Sequence, residues 1–119
     1  MKRLPILLLL GLALTACATT SMPLPDRQVR VEASTERALE VGLDVLVERG
    51  FVIRLADVGL GRIDAVRAAR PGYVVHYKVR EATTGTWVAL SGRRGNDAIE
   101  PHRFDPLLTE IATRLEPVQ

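Results

Sequence analysis

In the stretch YVVHYKVRE, Tyr73–Glu81, the side chains of Tyr73, Val75, Tyr77 and Val79 fall on one side. Val74, His76, Lys78 and Arg80 fall on the other, the period of two that a β-strand imposes. A strand with one apolar and one cationic side belongs to a sheet covered on a single face, the usual condition of antiparallel sheets. Downstream, Ala82–Gly85 closes a hairpin into Thr86–Ser91. Alternation fits either face there, and Val88 and Leu90 are placed in the core. Upstream, the turn residues Arg70-Pro71-Gly72 separate the strand from Arg62–Arg67, whose Ile63 and Ala65 face the same core. Val58–Gly61 turns the chain back to Phe51–Asp57, read with Phe51, Ile53 and Leu55 inward and Arg54 outward.

Working further outward, Gln28–Glu32 alternates with Val29 and Val31 on one face and makes a first short strand. Ser34 or Thr35 then offers a hydroxyl to the free amides of a helix start, and Glu36 suits the helix dipole. Leu39, Leu43, Leu46 and Val47 recur at helical spacing until Gly50, which suits a left-handed cap. Ser91–Pro101 is rich in glycine and charge and reads as a loop. Asp105-Pro106 supplies a cap acceptor and a proline at the first helical position. Leu107, Leu108, Ile111 and Leu115 form the stripe of that last helix, which ends at Glu116-Pro117. The order β-α-β-β-β-β-α, with successive hairpins, predicts an α+β two-layer sandwich: a mainly antiparallel sheet with both helices on one face.

Ahead of this domain stands Met1-Lys2-Arg3 and an apolar run beginning at Leu4. The run is shorter than the roughly 20 residues of a membrane span, and with small residues behind it reads as a secretory signal. Leu14-Thr15-Ala16-Cys17 resembles the bacterial lipobox at all four positions. The resemblance implies cleavage between Ala16 and Cys17, a diacylglycerol on the Cys17 thiol and an acyl chain on the freed amine. Residue Ala18 is not the aspartate that retains enteric lipoproteins at the inner membrane, so the expected address is the outer membrane, with the domain facing the periplasm. Ala16-Cys17-Ala18 also fits an ordinary signal-peptidase site, with cleavage after Ala18 and a soluble product. The expected layout is a signal over 1–16, a lipidated start and flexible linker over 17–26, one α+β domain over 27–116 and a tail over 117–119.

The chain carries 16 basic and 14 acidic residues. Lys2 and Arg3 leave with the signal, so the processed chain is formally neutral and lacks the usual electrostatic warrant for nucleic-acid binding. Its single cysteine excludes an intramolecular disulfide. Packing must hold a domain of roughly a hundred residues, which buries somewhat over 60 per cent of its unfolded surface.

The layout, together with Gly50-Phe51 followed by Asp57, Gly61 and Ile63, is similar to that of small Gram-negative lipoproteins. In particular it resembles the helix-grip domains of the lipoprotein C component of the outer-membrane barrel-assembly machine. That component carries two such domains and a long unstructured leader, whereas this chain has one domain and a short linker.

No catalytic constellation stands out. His76 and His102 are far apart and have no second cysteine to complete a zinc set. Ser91-Gly92 lacks the glycine-framed nucleophile elbow, while Asp57 and Asp64 flank a turn, where carboxylates commonly cap or solvate. Gly59-Leu60-Gly61 lacks the third glycine of a phosphate loop and reads as a hairpin turn. Arg70 with Arg93-Arg94 makes a basic loop tip. The uncovered sheet face remains: Arg30, Arg54, Arg62, His76, Lys78 and Arg80 converge there over Val52, Val66 and Val74, a basic rim on an apolar floor. The expected function is a non-enzymatic interaction module without cofactor or metal, tethered to the membrane and meeting an envelope protein or peptidoglycan. An enzyme acting on envelope material would need His76 beside a buried carboxylate in a cleft.

Overall fold

The first helix begins where Ser34 places its hydroxyl oxygen 3.1 Å from the amide of Arg37, satisfying one of the free N–H groups of a helix start. In the computed structural model, which describes residues 23–116, this helix is α1, Thr35–Glu48. It stops at Gly50, which adopts a φ of 88°. There the Gly50 amide bonds the Val47 carbonyl and the Phe51 amide bonds the Leu46 carbonyl, both at 3.0 Å. This paired closure satisfies the last carbonyls, and the buried Phe51 and Leu46 pack beneath it.

The strands are β1 (Arg27–Val31), β2 (Val52–Asp57), β3 (Arg62–Arg67), β4 (Tyr73–Glu81), β5 (Thr86–Arg94) and the two-residue β6 (Asp97–Ala98). They form one sheet in the order β1-β5-β4-β3-β2, with β6 beside β5 and every pairing antiparallel. A single 3-10 turn, Pro101–Phe104, leads into α2, Asp105–Leu115. Both helices lie on one face. The core they close contains Val31, Ile63, Ala65, Val75, Tyr77, Val88 and Leu90 from the sheet, with Leu46 and Ile111 from the helices. The α+β two-layer sandwich read from the sequence is the observed fold.

Four local expectations are corrected. Leu55 does not face the core: β2 carries a bulge between Ile53 and Leu55, and the extra residue reverses the alternation. Leu55 therefore pairs with Asp64 on the outer face, while Ala56 pairs with the buried Ile63. Val47 is 55% exposed, because it rides the flank of the α1 stripe. Asp105 is the first residue of α2, not its cap, since the 3-10 turn brings the chain into helical geometry one residue earlier. Its carboxylate instead accepts from Arg27 Nε at 2.8 Å. The segment read as a loop from Ser91 extends β5 to Arg94 and turns at Gly95 (φ 62°) into β6. The lipobox, its cleavage site and Cys17 lie outside the described residues, among which no helix is long and apolar enough to cross a membrane.

The buried Tyr77 ring joins the two layers. Its hydroxyl donates to the Ala38 carbonyl of α1 at 2.6 Å, and the ring occupies the space where a side chain on Gly42 would stand. Helix propensity alone makes Gly42→Ala stabilising by about 1 kcal/mol. The clash with Tyr77 makes it destabilising by about 1–3 kcal/mol, while Tyr77→Phe, which loses only the hydrogen bond, costs about 1 kcal/mol. Urea unfolding of the two variants checks this, and a stabilised Gly42→Ala protein would contradict the packing.

Candidate functional site

The face of the sheet turned away from both helices is organised by strand register. On β3, Arg62 and Asp64 are two apart and share that face, with the buried Ile63 between them pointing the other way. On β4, His76 stands opposite Asp64, Lys78 opposite Arg62, and Val74 opposite Val66. On β5, Ser91 stands opposite His76 and Trp87 opposite Arg80. Arg30 of β1 is in register with Trp87. The sheet thus brings together Arg30, Arg62, His76, Lys78 and Arg80, with Val52, Val66 and Val74 in one outer row. Arg54 is exposed at the β2 bulge, at the margin of this surface.

This face is less cationic than its basic residues suggest, because Asp64 sits among them. Arg62 grips the Asp64 carboxylate with two hydrogen bonds, Nε to Oδ1 at 3.0 Å and Nη2 to Oδ2 at 2.8 Å. His76 Nδ1 lies 2.7 Å from Oδ1, a contact that places the proton on Nδ1 and leaves Nε2 as acceptor when the ring is neutral. Arg30 pairs with Glu32 at 2.6 Å and donates to the Thr84 carbonyl. Arg80 lies over the Trp87 ring, 5.4 Å from its centroid, and donates to Gln28. Lys78 and Arg54 make no ion pair among the described residues.

The leader reaches this face. Pro23–Asp26 forms neither helix nor strand, and Pro23, Leu24 and Asp26 wall a cleft of about 320 Å³ floored by Arg62, His76, Lys78 and Ser91. Asp64 and Ser91 are the functional candidates that sequence reasoning passed over as a site. The signal for Asp64 was its two-residue spacing from Arg62 across the inward Ile63. Asp57 does cap its turn, accepting the Leu60 amide at 3.0 Å. His102 lies in the 3-10 turn near Glu100, and no group of His, Cys, Asp and Glu among the described residues is arranged to hold a metal.

Chemically, the cluster offers a cationic group in Lys78, a hydroxyl in Ser91 and a proton-accepting imidazole braced by a carboxylate. No hydrogen bond joins Ser91 to His76 among the described residues. Ser91 also lies within a strand, where backbone amides are committed to pairing and supply no preformed oxyanion site.

No family model matches the chain and no curated protein matches it in sequence. Among solved structures it is similar to a crystal structure of a Chromobacterium violaceum protein from a structural genomics consortium. The match has a TM-score of 0.50 and 14% identity, and covers 82% of this chain and 100% of the other. At that identity the likeness speaks to the fold alone.

Burial alone would raise the Asp64 carboxyl, but its hydrogen bonds from Arg62 and His76 outweigh that and hold it below the ordinary value. Such a group contributes stability that is fully present above its unfolded value of about 4 and is lost as pH falls through the lower folded one. We expect Asp64→Asn to cost about 1–3 kcal/mol at pH 7 and to lose less stability than the parent on acidification below about pH 4. Parallel acid unfolding curves for the two proteins would contradict this role.

Proposed function

We propose that this protein is a lipid-anchored envelope lipoprotein whose α+β domain acts as a non-enzymatic interaction module on the periplasmic side of the outer membrane. The lipobox residues Leu14-Thr15-Ala16-Cys17 support the anchor, with one thioether-linked diacylglycerol and one N-linked chain on Cys17. Two or more acyl chains hold a protein durably, where one does so only weakly. The observation that carries the module is the open sheet face, left uncovered by both helices and walled at one side by Pro23, Leu24 and Asp26. Extended chain covers at most about 3.6 Å per residue, so a lipid on Cys17 keeps Pro23, and with it this face, within about 20 Å of the bilayer surface. A partner bound here is therefore itself close to the membrane. Lys78 and Arg54 offer it unpaired cations above an aliphatic floor, which suits an acidic patch on an envelope protein or the anionic groups of peptidoglycan.

A second reading, an enzyme acting on envelope material, draws support from the row Ser91, His76, Asp64, whose Ser91 and His76 line the cleft. The commitment of strand amides to pairing weighs against it. Release as a soluble domain by cleavage after Ala18 is the remaining alternative.

A photo-crosslinking residue at Lys78 separates the first two. We expect an adduct in intact envelopes that is absent when the probe stands at Thr109 on α2 and is lost with Cys17→Ala, together with no fluorophosphonate labelling of Ser91. Labelling of Ser91 that Asp64→Asn reduces would favour the enzyme. Adducts indifferent to probe position and to Cys17 would remove the support for a membrane-proximal module.

A further inference from the structure

The described residues expose five large apolar side chains, and four of them, Val52, Leu55, Val58 and Leu60, lie on β2 or the turn that follows it. Among the described residues β2 is also a free edge of the sheet. An edge strand with exposed apolar residues is a template for another strand, and proteins ordinarily blunt such edges. Here the bulge does the opposite on the helix side. Had the alternation continued through Arg54, Leu55 would face α1 and fill the space beside Leu39 and Leu43. The extra residue puts Ala56 there instead, and the short side chain leaves an apolar groove of about 390 Å³ between α1 and β2, with Val58 at its end. The rim is acidic. Glu36 and Glu40 line it, Glu36 makes no ion pair among the described residues, and Glu40 has only the exposed Arg37 at 3.4 Å.

We propose that this groove and the adjoining β2 edge are a docking site for an extended segment of another protein that carries apolar residues and lysine or arginine on the same side, two positions apart. Its backbone pairs with the β2 edge after the bulge, an apolar side chain enters the groove over Ala56, and cations two residues away on the same side of the strand meet Glu36 and Glu40. Strand addition to a free edge, with side-chain pockets setting specificity, is a recurring way of binding peptides. A second copy of this chain is the poorer occupant. Pairing β2 with β2 about a two-fold axis sets two α1 helices side by side and brings the acidic rims toward each other, a like-charge arrangement that binding disfavours. The site is distinct from the open face and requires neither the lipid anchor nor a partner there.

The test uses the full chain in detergent micelles and a fluorescent eight-residue peptide whose alternate positions read lysine, leucine, leucine, lysine with threonine between them, so that lysine and leucine share one side of a strand, and its glutamate-for-lysine counterpart as control. We expect saturable binding of the lysine peptide, read by anisotropy, and none of the glutamate peptide. Ala56→Leu, which refills the groove, abolishes that binding while the melting temperature stays level or rises. Val58→Asp weakens it roughly tenfold or more, Glu36→Lys with Glu40→Lys weakens it roughly three- to tenfold, and Val47→Asp, outside the groove, leaves it unchanged. The proposal is overturned if the glutamate peptide binds equally, or if folded Ala56→Leu and Val58→Asp proteins bind as the parent does. It is overturned equally if the chain sediments as a dimer that Ala56→Leu converts to monomer, since the groove then belongs to a second copy.

Discussion

The hydrogen bond from the Tyr77 hydroxyl to the Ala38 carbonyl, made across the bare backbone of Gly42, fixes the height and rotation of α1 on the sheet. β1 and β2 lie at opposite ends of the main strand order, so the helix that joins them must cross the whole sheet. It passes over β4, near the middle. A side chain at position 42 would push it away; an apolar residue at 77 would leave no directed contact to orient it. Burial raises the phenol well above its ordinary range, which keeps it a neutral donor. With α1 seated this way, the helix presents Ala38, Val45 and Leu46 to the sheet. α2 closes beside it, joined at the surface by Arg49 to Glu110 and by Arg114 to Glu48, while Arg114 also pairs with Glu110 one turn back on α2. These exposed pairs align the helices more than they stabilise them.

Placing both helices on one side has a direct consequence for function, because the other side must remain soluble without a covering layer. Charged side chains interspersed with the aliphatic row of Val52, Val66 and Val74 accomplish this, and the Arg80 guanidinium covers the Trp87 ring. Asp64 neutralises the middle of that face, so the cations without an ion pair among the described residues, Arg54, Lys78, Arg80 and Arg93, lie around it. The leader segment ends against the same surface. An anchored chain would therefore present this side in a restricted geometry, while the acidic groove beside β2 faces elsewhere and selects opposite chemistry. One small domain thus carries two surfaces of contrasting charge.

Much of this architecture was legible because the hairpins are short and their turns carry glycine or proline, so alternation in Tyr73–Glu81 propagates to its neighbours with little ambiguity. The inward placement of Ile63, Ala65, Val75 and Tyr77 followed from period alone, whereas alternation left the face of Val88 and Leu90 open, and they are buried. Two of the misses, at Leu55 and at Asp105, have a common physical origin in features that add or remove one residue of register. A bulge has no compositional signature in Val52–Asp57, yet it exchanges Leu55 for Ala56 at the helix-facing position. The 3-10 turn over Pro101–Phe104 likewise shifts the start of α2 by one residue and frees Asp105 to meet Arg27. Asp64 was visible as an outward residue two from Arg62. Its contact with His76 depends on the pairing of β3 with β4, which only the length of the connecting turn determines. Nothing in composition distinguishes a carboxylate that caps a turn, as Asp57 does, from one that anchors a cluster.

The biological meaning of both surfaces depends on where the domain is held. Intact-mass spectrometry of the native product purified from its own envelope addresses this most directly. A lipid-anchored module requires a chain beginning at Cys17 and heavier than its amino-acid sequence by a diacylglycerol and an acyl chain. A chain beginning at Thr19, or one retaining an unmodified Cys17, would contradict it.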